Sequence, residues 1–181
     1  MKTTLKLTLL ALAYMTLFGC GGGGDSGGAV DDSYLFPAGT ATFTFSAMST
    51  ATLPTSISGI VFSVKLPQGM NVATTSGGSG QIVTTSVTAG SALTGTNLAY
   101  GNYSSSTRTA YLTMATTSST YRAGEFLRLS CSVDTGSTIT LADVKTLNSP
   151  VDIIEASGFD PVTTGTVSLT DKIAVTLGAV R

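Results

Sequence analysis

The side chains with chemistry to offer in this 181-residue chain are few: ten carboxylates, nine cations, two cysteines and no histidine. Without histidine the chain has no imidazole base poised near neutral pH and lacks the commonest metal ligand, so Ser-His and Cys-His nucleophilic arrangements cannot be built. Carboxylates are what remains for acid–base work. Asp134 heads the string Asp134-Thr135-Gly136-Ser137, a form suited to reactions in which two carboxyl groups share one proton. Such a site needs a second copy of the string, and the chain has one, so dimerisation would have to supply it. Asp and Gly between two alternating segments already suffice for a turn, the plainer reading. The other candidate carboxylates, Glu125, Asp143, Asp152, Glu155, Asp160 and Asp171, are scattered at expected strand ends, with no pair placed at the roughly 5–9.5 Å that glycoside hydrolysis requires. Asp152, Glu155 and Asp160, close together around Gly158, are weak oxygen-ligand candidates for a structural calcium ion, without the spacing of a dedicated calcium loop. No catalytic residue is assigned, no other cofactor is expected, and the chain reads as a binding protein rather than an enzyme.

Candidate binding residues are the aromatics and the few cations. Tryptophan is absent, leaving six tyrosines and seven phenylalanines. Gly101 to Thr107 and Ser76 to Gly80 are stretches of small polar residues that read as exposed loops, with Tyr100 and Tyr103 as rigid anchors. Rigid aromatics among Ser and Gly make adaptable contact surfaces. Tyr111 and Tyr121, with Arg108 and Arg122, complete a set of possible anchors on a binding face. Hydrophobic residues make up 42% of the chain and charged residues 10%, so Ser and Thr must supply the polar surface. No Lys/Arg cluster exists, which argues against nucleic acid, whose phosphate backbone demands one. The Asp134 string resembles the Asp-Thr-Gly-Ser signature of aspartic proteases, the most remote of the functional readings.

The N-terminus carries an address. Lys2 and Lys6 supply a positive n-region, and Leu5 to Phe18 gives an apolar run that is short for a membrane span and has the form of a secretory signal. Leu17-Phe18-Gly19-Cys20 resembles the lipobox of bacterial lipoproteins. The resemblance implies removal of residues 1–19, lipidation of Cys20, and residence on the extracytoplasmic side of the cell envelope, with the outer membrane as the expected site. Residues 20–37, opening on Gly21 to Gly24, read as the lipidated cysteine and a glycine-rich coil, whose first eight residues reach roughly 15 Å. With Cys20 so used, Cys131 has no partner within the chain.

Residues 38–181 must then position whatever binds. Ala41 to Ala47 places Phe43 and Phe45 on one face, and Ile60 to Leu66 aligns Ile60, Phe62, Val64 and Leu66 before the turn Pro67-Gln68-Gly69. Thr109 to Ala115 aligns Ala110, Leu112 and Met114, and Glu125 to Val133 aligns Leu127, Leu129, Cys131 and Val133, putting Cys131 in the core as a small hydrophobe. Gln81 to Thr88, Leu98 to Tyr103, Ile139 to Leu147, Val151 to Glu155, Thr166 to Leu169 and Lys172 to Leu177 read as further strands. About nine strands with recurring turns predict an all-β sandwich of jelly-roll type behind a disordered leader.

The run Ser58-Gly59-Ile60-Val61-Phe62-Ser63-Val64-Lys65-Leu66-Pro67-Gln68-Gly69-Met70-Asn71-Val72 resembles the early segment of cohesin modules. Tyr121-Arg122-Ala123-Gly124-Glu125-Phe126-Leu127-Arg128-Leu129-Ser130-Cys131-Ser132-Val133 is similar to that family's glycine-led later strand. The resemblance spans roughly residues 38 to 180. It implies a jelly-roll fold shared with carbohydrate-binding modules, and a function of docking a protein partner through one sheet face, with polysaccharide as the alternative ligand. Cys20→Ser should move the protein from the membrane to the soluble fraction with its thermal unfolding unchanged; membrane retention of that variant would contradict lipidation at Cys20.

Overall fold

The computed structural model of the chain describes residues 28–76 and 80–181. The leader 1–19, Cys20, the glycines that follow it and most of the Ser76–Gly80 loop lie outside the described residues. Within them, two five-stranded antiparallel sheets face one another. The first contains β1 (Gly39–Ser49), β3 (Met70–Asn71), β4 (Val87–Ala89), β7 (Gly124–Val133) and β10 (Ile173–Val180). There β1 lies between β10 and β7, and the short β3 and β4 both pair with the far side of β7. The second contains β2 (Ile57–Lys65), β5 (Asn97–Ser104), β6 (Thr109–Thr116), β8 (Asp152–Asp160) and β9 (Gly165–Ser168), in the order β5-β6-β2-β8-β9. The expected all-β sandwich is therefore the fold.

Strand alternation decides what lies between the sheets. Ala41, Phe43, Phe45 and Ala47 of β1 point inward and are buried, as are Ile60, Phe62 and Val64 of β2, Ala110, Leu112 and Met114 of β6, and Leu127, Leu129, Cys131 and Val133 of β7. Phe62 meets Phe45 of the opposite sheet with ring centroids 4.9 Å apart and Phe126 at 5.4 Å. The inward place of Phe126 has a local cause: Phe45 pairs with Leu127 and Ser46 with Glu125, so Phe126 is the extra residue of a β-bulge. A bulge breaks the period of two, and both Phe126 and Leu127 enter the core.

Three segments differ from the strand reading. Ile139 to Leu147 is not a strand; Leu141–Leu147 forms a short helix, α1, because Thr140 and Asp143 make a reciprocal capping box and Leu141 and Val144, three apart, are both buried. Gly101 to Thr107 is not all loop, since β5 runs on to Ser104. Gly101 belongs there for lack of space: an added Cβ would stand 2.5 Å from the Tyr111 carbonyl oxygen. Gln81 to Thr88 forms isolated bridges to Asn102 and Thr74 and then a turn, and becomes strand only at Val87.

The later part of the expected tether already lies against the sandwich. Ala29 bridges Val180, Leu35 bridges Thr140, and Phe36, 2% exposed, packs edge-on to Phe43 with centroids 5.3 Å apart. Arg181 lies over the Tyr34 ring, 5.2 Å from its centroid.

Phe62 bridges the two sheets from a fully buried position. Phe62→Ala should destabilise the fold by about 3–5 kcal/mol and lower the melting temperature by about 10 °C, measured by thermal circular dichroism; a melting curve that overlays wild type would contradict this packing.

Candidate functional site

The outer faces of the two sheets are chemically unlike. On the first, Thr42, Thr44 and Ser46 stand beside Ser130, Arg128 and Thr176 in neighbouring strands. Its charges neutralise each other: the Arg128 Nε donates to Glu125 Oε1 at 2.7 Å. Burial pushes the Glu125 carboxyl up, but the Arg128 guanidinium and the Ser91 N–H outweigh it and hold the group below the ordinary range.

The outer face of the second sheet carries large apolar side chains among polar ones such as Asn102, Thr113 and Lys65. Leu98 and Tyr100 of β5, Tyr111 of β6, and Ile154 and Phe159 of β8 are each about half exposed, between 46% and 57%. The register sets their spacing: Tyr100 lies opposite Thr113 and Tyr111 opposite Asn102. The two tyrosines are thus diagonal neighbours, about 7–8 Å apart at the backbone. Val61 of β2 faces Thr113 on one side and Glu155 on the other, continuing the patch toward β8. Ile154 belongs to this face because of a second bulge. Val61 pairs with Glu155 and Phe62 with Ile153, leaving Ile154 as the extra residue, turned to solvent while Ile153 packs on the core. Asp152 and Glu155 supply the face's carboxylates, Asp152 accepting from the Ser63 hydroxyl at 3.0 Å.

The six residues read from sequence as one set of anchors are divided. Tyr100 and Tyr111 share this outer face. Tyr103 and Tyr121, 6% and 3% exposed, belong to the core, because Tyr103 has the inward parity of β5 and Tyr121 turns its hydroxyl back onto the Gly124 carbonyl at 2.9 Å. Burial pushes both phenols above their ordinary value, and the buried Tyr103 hydroxyl has no hydrogen-bond partner among the described residues. Arg108 occupies the β5–β6 turn with a left-handed φ of 49°. Arg122 stands near the other end of β6, its Nη1 donating to the carbonyls of Leu53 and Thr55, each at 3.0 Å. Leu98, Ile154 and Phe159 are the residues that sequence reading missed. Leu98 shares the parity of Tyr100 and was open to detection; Phe159 lies beyond Glu155, where the strand was expected to stop.

The weak calcium candidates do not converge. Asp152 and Asp160 are the two ends of β8, some 25 Å apart at strand rise. Asp160 accepts from the Val162 N–H at 2.9 Å and the Thr163 hydroxyl at 2.8 Å. No group of three metal-ligating side chains occurs among the described residues. Asp134 lies in a turn: its carbonyl accepts from the Ser137 N–H at 3.2 Å, and Gly136 takes a φ of +82°, a value favoured by glycine. Comparison with protein-family models, curated proteins and solved structures gives no match for this chain.

Cys131 is 2% exposed on β7 and free, and burial pushes its thiol up to about 12. At pH 8, iodoacetamide should therefore alkylate the Cys131 peptide rapidly in urea and barely at all in the native protein, read by mass spectrometry. The unfolded thiol ionises near 8.5 and the folded one only near 12, so stability is full below the first value. It falls above it by up to about 1.4 kcal/mol per pH unit. Native labelling as fast as unfolded labelling would contradict the burial.

Proposed function

We propose that the chain is a lipid-anchored docking module of the bacterial envelope, on the outer membrane, which recruits a protein partner through the outer face of β5, β6, β2 and β8. The observation that carries this is the contrast between the two outer faces: five half-exposed large apolar residues gather on one, while the other presents Thr, Ser, a closed ion pair and, among the described residues, a single exposed large apolar side chain, Met48. Contiguous exposed apolar surface of this kind marks interaction sites. Tyrosines are favoured as interface anchors, being large, rigid and amphipathic. The carboxylates of Asp152 and Glu155 at its β8 side favour a partner that surrounds its own apolar anchors with Lys or Arg. The cohesin resemblance supports the same choice, since that family docks its partners through one sheet face. The module acts by binding, without a catalytic step. The glycine-rich segment after Cys20 gives it reach above the lipid. Polysaccharide is the alternative occupant, for which Tyr100 and Tyr111 would be the stacking platforms.

The test uses the full chain purified from envelope in detergent, with Tyr100→Ala/Tyr111→Ala on the proposed face and Thr44→Ala/Thr176→Ala on the other. A partner held by wild type and by the threonine variant should be held about tenfold or more weakly by the tyrosine variant. Equal capture by the tyrosine variant would overturn the assignment of the face. Retention on insoluble polysaccharide with no protein partner would transfer the face to glycan.

A further inference from the structure

At the opposite end of β6 from Arg108, the segments before β2, after β6 and after β8 enclose a cavity of about 550 Å³, within the range of small-ligand sites. Its one charged lining residue is Arg122. Both hydrogen bonds of that guanidinium use Nη1, to Leu53 and Thr55. This holds the group in place and leaves Nε and Nη2 with no acceptor among the described residues. The hydroxyls of Ser56 and Ser119, also in the lining, likewise have no partner there, whereas Ser118 is committed to Thr94 at 2.9 Å. Phe159, half exposed, and Pro54 and Pro161 supply apolar walls. The carboxylate next in sequence, Asp160, is engaged by its own loop.

Part of the backbone around the cavity is engaged. The Ile57 N–H donates to Tyr121 at 2.8 Å, Thr117 to Thr96 at 3.0 Å, and Ser118 to the Thr116 hydroxyl at 3.0 Å. The strands that end here, β6, β2 and β8, each have a neighbour on both sides, so an extended peptide finds no open strand edge to pair with. What the cavity offers is a fork for a carboxylate, hydroxyls that both donate and accept, and the face of one ring.

We infer that this cavity binds a uronic acid unit of an acidic glycan. The sugar carboxylate takes the outward N–H groups of Arg122, its hydroxyls exchange hydrogen bonds with Ser56 and Ser119, and its C–H face lies on Phe159. No bond is made or broken. The site is separate from Tyr100 and Tyr111, although Phe159 also borders their face.

Titration calorimetry of the full chain with digalacturonic acid tests this, against the same disaccharide with both carboxyls reduced to alcohols. Saturable binding of the acid is expected, with the reduced sugar about tenfold or more weaker. Arg122→Lys, which keeps the charge and loses the fork, and Phe159→Ala, at a half-exposed position, should each weaken the acid about tenfold, while Tyr100→Ala/Tyr111→Ala leaves it unchanged. No binding at millimolar acid, equal binding of the reduced sugar, or wild-type affinity in Phe159→Ala would each overturn the inference. Should Arg122→Lys fail to fold, the Phe159 result and the reduced sugar still decide it.

Discussion

The contact on which the rest depends is aromatic and runs between the sheets. Phe62 of β2 reaches Phe45 and Phe126 of the facing sheet with centroids 4.9 and 5.4 Å away, and all three are fully buried. A sheet stays folded only if one face is covered, and here the covering is mutual. Once those rings are inward, parity along each strand assigns most of the other side chains. The Thr and Ser residues of β1 must then meet solvent, and Tyr100 and Tyr111 must do so on the other side.

Three bulges break that parity, one of them at Ser58 of β2, and the other two act in opposite directions. In β7 the extra residue adds Phe126 to the core, which strengthens the contact between sheets. In β8 the extra residue sends Ile154 outward beside a face already carrying Tyr111 and Val61. Bulges are devices for re-aiming side chains. Strand β8 consequently contributes to both proposed surfaces, through Ile154 to the apolar face and through Phe159 to the face and the cavity alike. The chain enters the fold elsewhere: Gly28 lies at the end of β10, where its carbonyl accepts from the Arg181 N–H at 3.4 Å. That is the edge of the first sheet.

Much of the architecture was legible because alternation is a local property. The inward sets of β1 and β6, and those of β2 and β7 apart from Ile57 and Phe126 at their bulges, follow from period two alone, and the burial of Cys131 follows with them. Helix α1 was missed although its signal was present: Thr140 and Asp143 have capping-box spacing, and Leu141 and Val144 are three apart. The apolar residues at 139 and 141 also fit a strand, and in so short a segment the two periods are hard to separate. Gly101 was read as a loop residue when its role is to let β5 and β6 lie close.

Residue types by themselves determined the limits of the chemistry: no histidine, sparse charge and a hydroxylated surface. They also determined that the fold is all-β. Tyr100 and Tyr103, an odd number of residues apart on one strand, must point to opposite faces, and only the tertiary structure decided which of those faces is covered by the other sheet and which meets solvent. Likewise it alone placed Ile154 outside, since a bulge is a mismatch between two strands and neither strand carries it singly. Arg122 came to Ser56 and Phe159 by the same route, through segments distant in sequence whose meeting is set by how β2, β6 and β8 pair.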